Sequence, residues 1–344
     1  MSATSAPAAG SLGMSPSGSA LARFVRRNSW VLALWILLGA MLAFTVAIQP
    51  GWGAPQLVIL AIAALPYAFA TAGQAMAVII GGIDLSVAAM MTLTSVTAAV
   101  LMEGQGEEFG IVAVAATLLL GLGLGTVNGL SVVLTRVPDI VVTLSFFFIW
   151  EGVALLILDA PGGSASTWLR DLIIGPVGSF VVPAEVGAWL PKALLLLVVS
   201  LGVVWIPLKR SRLGLWMYAV GSDRLAAFRS GVPVDRTRVA AYALCGLFAA
   251  MGGLILTMNT GVGTPIQGPY LMASVAAVVL GGVSLAGGRG GLVGPIVAVF
   301  ILRLARQDLT LLSIDPNVAQ VVEGLIMVSV VLVGALVALR SRRS

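Results

Sequence analysis

The apolar positions of the chain fall into ten long runs, at residues 30–48, 57–80, 84–102, 110–134, 140–158, 191–207, 239–258, 271–287, 290–306 and 318–339. Each has the length of a membrane-crossing helix, which needs about 20 apolar residues rising 1.5 Å apiece. Short polar or glycine-rich segments separate them, with two longer loops at about 159–190 and 209–238. The pattern predicts an all-α polytopic membrane protein of about ten transmembrane helices, some of them broken by glycine. An even number of crossings puts both termini on one side.

The basic residues say which side that is. Fifteen of them, among them Arg23, Arg26, Arg27, Arg136, Lys209, Arg224, Arg238 and Arg340, fall in segments on the side of the termini. Only Arg170, Lys192, Arg303 and Arg306 fall opposite. Lys and Arg accumulate in cytoplasmic segments, so both termini and the 209–238 loop are expected in the cytoplasm, and the 159–190 loop outside. The first apolar run is too long for the core of a signal peptide. It is followed by Gln49-Pro50-Gly51 and not by a small-residue cleavage site, so it reads as an uncleaved helix. Residues 1–22, largely Ser, Ala, Gly and Pro, read as a disordered cytoplasmic tail, 23–340 as one transmembrane domain and 341–344 as a basic tail. Trp168 and Trp189, near the ends of the outer loop, are expected at the lipid interface.

Composition sharpens the class. Of 344 residues 59% are hydrophobic and only 10% charged, against roughly 25% in a soluble domain, which excludes a soluble enzyme. Histidine is absent, and with it any Ser-His-Asp triad, His-dependent metalloprotease motif or His/Cys zinc cluster. Neither lysine, Lys192 or Lys209, follows a glycine, so no phosphate-cradling G-x-x-x-x-G-K-[ST] loop exists here. ATP, if used, is hydrolysed by another subunit. No metal, cofactor or nucleic acid is expected, and membrane lipid surrounds the chain. The single cysteine, Cys245, lies in an apolar run and reads as a small packing residue.

Glycine clusters inside apolar runs mark where helices break, because non-helical backbone at membrane depth must be buried in protein or line a cavity. One is Gly81-Gly82-Ile83-Asp84-Leu85-Ser86, where Gly82 is expected to supply backbone angles a branched residue cannot adopt and Asp84 to cap the next helix. The other runs from Gly281-Gly282-Val283-Ser284 to Gly291. Ala77, Val78, Gly81, Gly82 and Leu85 recur 200 residues later as Ala277, Val278, Gly281, Gly282 and Leu285, which suggests a parallel internal repeat. Three carboxylates fall within runs, Asp84, Glu151 and Glu323. Each is a functional candidate by its cost in hydrocarbon, with a helix cap, an inter-helix hydrogen bond and an interfacial position as the respective structural readings. Asn128 is a buried amide suited either to bonding across helices or to facing a polar substrate. Gly121, Gly123, Gly125 and Gly129 read as close helix packing.

Within the inner loop, residues 221–233 carry the signals of one short helix of about eight residues, ~12 Å long. Ser222 is a suitable N-cap, Asp223 complements the helix start, Arg229 the last turn, Gly231 supplies a left-handed C′ position and Pro233 prevents continuation. Leu225 and Phe228 share a face, and Ala226 and Ala227 let another backbone come close. A basic loop lying on anionic headgroups would not need that capped apolar face.

In this order, the 81–86 motif, Asn128-Gly129-Leu130, Val137-Pro138-Asp139-Ile140-Val141-Val142-Thr143-Leu144, the 221–231 loop and the 281–290 motif make the chain resemble bacterial ABC sugar permeases of the ribose type, a group that includes ribose, xylose and autoinducer-2 permeases. The resemblance covers about residues 57–339. It implies the non-catalytic inner-membrane subunit of an importer of a sugar or sugar-like polar solute. The implied partners are a second permease subunit (homodimer or heterodimer), cytoplasmic ATP-binding subunits and an extracytoplasmic sugar-binding protein. It places ATPase coupling at Gly221, Ser222, Ala226, Ala227, Phe228 and Gly231. The breaks and the buried amide then nominate Gly81, Gly82, Asp84, Ser86, Asn128, Gly281, Gly282 and Ser284 for the translocation path. Glu151-Gly152 and Gly221-Ser222-Asp223 depart from the usual family pattern and bear on subclass and substrate. Two other classes fit less well. An ion-coupled secondary transporter needs mid-depth acids, of which three candidates exist, and an intramembrane aspartyl enzyme needs two membrane aspartates.

Overall fold

Helices account for most of the computed structural model, which describes residues 20–178, 183–266 and 268–341. In chain order they are α1 (Ala20–Ile48), α2 (Ala54–Ile79), α3 (Val87–Met102), α4 (Phe109–Thr135), α5 (Asp139–Ile157), α6 (Thr167–Asp171), α7 (Ala184–Gly187), α8 (Lys192–Arg210), α9 (Arg212–Ser222), α10 (Arg224–Arg229), α11 (Val234–Thr260), α12 (Tyr270–Leu280), α13 (Val293–Leu311) and α14 (Pro316–Ser341). Most of the expected 1–22 tail, residues 1–19, and residues 342–344 lie outside the described part, and α1 begins at Ala20, inside that expected tail.

Two long helices form the centre. α2 carries Ala61, Ala64, Ala68, Ala72 and Ala75 at spacings of three or four, all at most 1% exposed. That spacing keeps small side chains on one side of the helix, so neighbours approach closely. α11 packs against α2, α3 and α4, while α12 and α13 cover another flank of α2. α1 and α14 lie outside α13, and α5 outside α3. The glycines of α4 act as expected, but selectively. A Cβ on Gly121, Gly125 or Gly129 would strike Gly246, Tyr242 or Val239 of α11, whereas one on Gly123 would meet open space.

Among the described residues six helices are long and apolar enough to cross a membrane: Asn28–Ile48 of α1, then α2, α4, α5, α8 and α11. α3 and α12 are apolar but shorter. The expected run 271–287 is helical only to Leu280, and the run at 290–306 begins as α13 at Val293. At 11 residues α12 spans about 16 Å, roughly half a bilayer core. It stops because Gly282 turns left-handed (φ 82°); the non-helical segment that follows bonds within itself, Ser284 N–H to the Arg289 carbonyl at 3.2 Å, and across to the end of α2 through the Gly288 N–H.

The 159–190 loop is held by α6 and by two isolated antiparallel bridges, Gly162 with Gly263 and Pro176 with Pro191. Trp168 is tied into the protein, its Nε1–H donating to the Glu107 carbonyl at 2.9 Å, while Trp189 is exposed.

Candidate translocation and coupling site

The two glycine breaks end α2 and α12 with the same motif. At α2 Gly81 takes the left-handed conformation (φ 77°) and the Gly82 N–H reaches back to the Ala77 carbonyl at 2.9 Å. At α12 Gly282 is the left-handed residue and the Val283 N–H reaches the Val278 carbonyl at 3.1 Å. Both are Schellman endings. They are displaced by one residue from the sequence repeat, so Gly81 matches Gly282 in conformation. The residue that needs glycine's angles in the first break is therefore Gly81. Gly82 is needed for space, since a Cβ there would stand 2.5 Å from Asp139 Oδ2 and 2.6 Å from the Tyr242 hydroxyl. A Cβ on Gly281 would run into the Pro295 backbone. The breaks touch each other through the Gly288 N–H, which donates to the Ile79 carbonyl at 2.9 Å. Ser284 stays within its own turn, its hydroxyl accepting the Ala286 N–H at 3.3 Å.

Behind the first break runs a chain of buried hydrogen bonds. Trp150 Nε1–H donates to Asn128 Oδ1 (3.2 Å), the Asn128 amide donates to Ser86 Oγ (2.6 Å), and the Ser86 hydroxyl donates to Asp84 Oδ1 (2.6 Å). The Ser86 N–H adds a second bond to that oxygen at 2.8 Å. Asp84 thus orders the turn before α3 and does not cap the helix itself. Asp84, Ser86 and Asn128 are wholly buried. Asp84 Oδ2 has no hydrogen-bond partner among the described residues, and the Cys245 thiol lies beside the carboxylate. Sequence reasoning brought Asp84, Ser86 and Asn128 forward separately; that they form one chain, completed by Trp150, is a product of the packing. Asp84→Asn keeps the accepting oxygen and is expected to keep a near-normal melting midpoint for the purified protein. Asp84→Leu strips the acceptor from two Ser86 donors and should lower stability by about 2–4 kcal/mol, read as a fall in that midpoint.

The short helix expected within 221–233 is α10, and a further helix, α9, precedes it. Ser222 ends α9, and the cap of α10 is Asp223, whose Oδ1 accepts the Leu225 and Ala226 N–H groups at 2.8 and 2.9 Å. The N-cap falls one residue later than expected because the backbone through Ser222 is already helical. Gly231 is left-handed as expected (φ 81°). Ala226 and Phe228 face outward, Phe228 at 69% exposure, while Ala227 is buried against the body. Gly221 is buried too, and a Cβ there would strike the Ile79 carbonyl and the Gly288 N–H, the pair that joins the two breaks.

A site the motifs did not single out lies beside this loop. Asp139, the first residue of α5, accepts Arg238 Nη2 at 2.7 Å through Oδ1 and the Tyr242 hydroxyl at 2.8 Å through Oδ2; Arg224 of α10 stands 4.0 Å from Oδ2. An arginine and an aspartate 99 positions apart carry no local signal of pairing.

A protein-family model described as branched-chain amino acid transport system / permease component matches residues 56–331. The chain is 33% identical to the ribose import permease protein RbsC of Escherichia coli K12 over 264 residues, 76% of this chain and 79% of that one. The chain belongs to this permease family. It is also 29% identical over 327 residues, 92% of this chain, to the autoinducer 2 import system permease protein LsrD of Shigella flexneri, covering 95% of that protein. No solved structure matches the chain. The protein is a permease component of a transport system and resides in the bacterial inner membrane.

The permease's remaining intramembrane carboxylates serve no proton relay visible in the packing. Glu323 is paired with Arg306 at 2.8 Å, tying α14 to α13. Glu151 is partly buried, and among the described residues it makes no hydrogen bond across helices.

Proposed function

We propose that this permease crosses the membrane ten times, counting the short helices α3 and α12, with both termini and the α9–α10 segment in the cytoplasm. The charge pattern supports that orientation, since Lys209, Arg210, Arg212, Arg224, Arg229, Arg236 and Arg238 gather at the α9–α10 end. The permease pairs with a second permease subunit, identical or related. It receives its solute from an extracytoplasmic binding protein and takes its driving force from separate ATP-binding subunits. The solute is a neutral sugar or polyol. What supports this is the presence of the ribose and autoinducer-2 permeases among the relatives.

The reading rests on α10. A six-residue helix with its own cap presents Leu225 and Phe228, 57% and 69% exposed, at the end of the bundle, beside a groove of about 540 Å³ lined also by Val232, Pro233 and Arg236. Placed in the cytoplasm, this apolar face on a charged end fits a protein partner, and Gly221 just upstream sits in the joint between the two breaks. ATP-driven closure of the ATPase pair then moves α10, and through α9 the broken ends of α2 and α12. Phe228→Asp puts a charge in the middle of the contact. It should leave insertion intact but weaken ATPase binding by about 2 kcal/mol or more, at least about thirtyfold. Affinity purification of the tagged permease in mild detergent reads this directly. Full recovery of ATP-binding subunits with Phe228→Asp and Leu225→Asp would overturn the coupling assignment.

A further inference from the structure

The first turn of α5 grips the first break at two points. Thr143 is wholly buried; its hydroxyl accepts the Leu85 N–H at 3.1 Å and lies 3.3 Å from the Ile83 carbonyl. Its one proton is shared between that carbonyl and the Asp139 carbonyl of its own helix at 2.9 Å. One turn earlier, the Asp139 carboxylate and the Tyr242 hydroxyl bonded to it press on Gly82 so closely that no Cβ fits there. The same carboxylate holds Arg238 of α11 and faces Arg224, the first residue of α10. Asp139 and Thr143 are i and i+4 on one helix, so a displacement of either end of this turn is felt at the other.

We propose that Asp139 and Thr143 are positioning residues that convert movement of α10 into movement of the 81–86 break. The proposal rests on the reading of α10 as the ATPase contact. Its loosest link is at the input: Arg224 is 46% exposed in its side chain and 4.0 Å from Asp139 Oδ2, whereas Arg238 is 11% exposed and bonded at 2.7 Å. A swing of α10 thus changes the load on Oδ2 while Arg238 keeps Asp139 in place. The output is a stretch of backbone outside any helix. Residues 81–86 lack the helical ladder, and their non-helical course is held from outside by Thr143 and from within by Asp84. A segment with few internal bonds and two discrete sets of neighbours is where a packed core can switch. A staple that only stabilised α5 against α11 would not need to touch α10 and the break at once.

The chain's single cysteine reports the output, because Cys245 is fully buried beside Asp84, the centre of the break. The test uses the permease assembled with its ATP-binding subunits in lipid nanodiscs. N-ethylmaleimide modification of Cys245 is followed by mass spectrometry without nucleotide and with ATP plus vanadate. If the break passes from a minor to a dominant open state, or the reverse, the rate should differ between the two conditions by at least about tenfold. Thr143→Val removes the hydroxyl at nearly constant volume and should collapse that ratio towards one, with ATP-binding subunits still bound; Thr143→Ser should restore it. Asp139→Asn should shrink it independently. An unchanged nucleotide response in both Thr143→Val and Asp139→Asn, or no response in the wild type, overturns the proposal. Failure of the wild-type permease to hold ATP-binding subunits at all would instead overturn the proposed function.

Discussion

A permease carrying Gly82→Val is expected to insert at the wild-type level and to transport almost nothing. Insertion follows from the apolar runs, which the substitution leaves untouched. Transport fails for lack of space. The first carbon of any side chain at position 82 would stand 2.5 Å from Asp139 Oδ2 and 2.6 Å from the Tyr242 hydroxyl, and valine adds two methyl groups to that collision. Relief requires separating Asp139 from Tyr242 and Arg238, and breaking a buried pair of this kind costs about 3–5 kcal/mol. If that penalty falls on the transporting conformations, the rate drops roughly a hundredfold or more. Uptake into vesicles by the reconstituted importer, normalised to inserted permease, checks the outcome. Because the collision begins at Cβ, Gly82→Ala should be impaired nearly as badly. Near-normal uptake by the alanine variant would show that the Asp139–Tyr242 pair yields easily and that space is not the reason for glycine here.

Gly221→Ala should have the second large effect, and on stability as well as activity. Gly221 is wedged between the Ile79 carbonyl and the Gly288 N–H, which bond to each other at 2.9 Å. A methyl group there must push α9 out or part the two breaks. Overpacking costs about 1–3 kcal/mol, and a buried backbone pair left unsatisfied a further 1–3. The melting midpoint of the purified permease in detergent should therefore fall well below that of the wild type. Gly123→Ala is the control, since a Cβ at Gly123 meets nothing within 4 Å. Equal midpoints for the two variants would remove the wedge from the account.

Much of this architecture is written in local pattern. The long apolar runs locate the Asn28–Ile48 span of α1 and the helices α2, α4, α5, α8 and α11 to within about five residues, because a helix in lipid must satisfy its own backbone and show an apolar surface over its whole length. Glycine pairs mark where α2 and α12 end, and Gly231 and Pro233 mark the end of α10, since left-handed and ring-locked backbones are properties of single residues. The helical course of residues 212–222 escaped notice: Gly214, Trp216, Tyr218 and Gly221 in a basic loop make a weak helix signal, and α9 draws support from its contacts with α8 and α11 and from the Tyr218 hydroxyl bond to the Gly290 carbonyl.

The sequence by itself determined the class of molecule, the places where its helices break, and the absence of a phosphate-binding loop, all of which depend on residue type and near neighbours. Only the tertiary structure decided which glycine of each pair turns left-handed, that Ala227 points inward while Phe228 points out, that Glu323 is spoken for by Arg306, and that Asp139 joins α10, α11 and the first break. These are matters of which surfaces meet, between residues 17 positions apart for Arg306 and Glu323 and 99 apart for Asp139 and Arg238. A side chain's type limits what it can bond to, but its partner is set by how helices already committed to the membrane pack against one another.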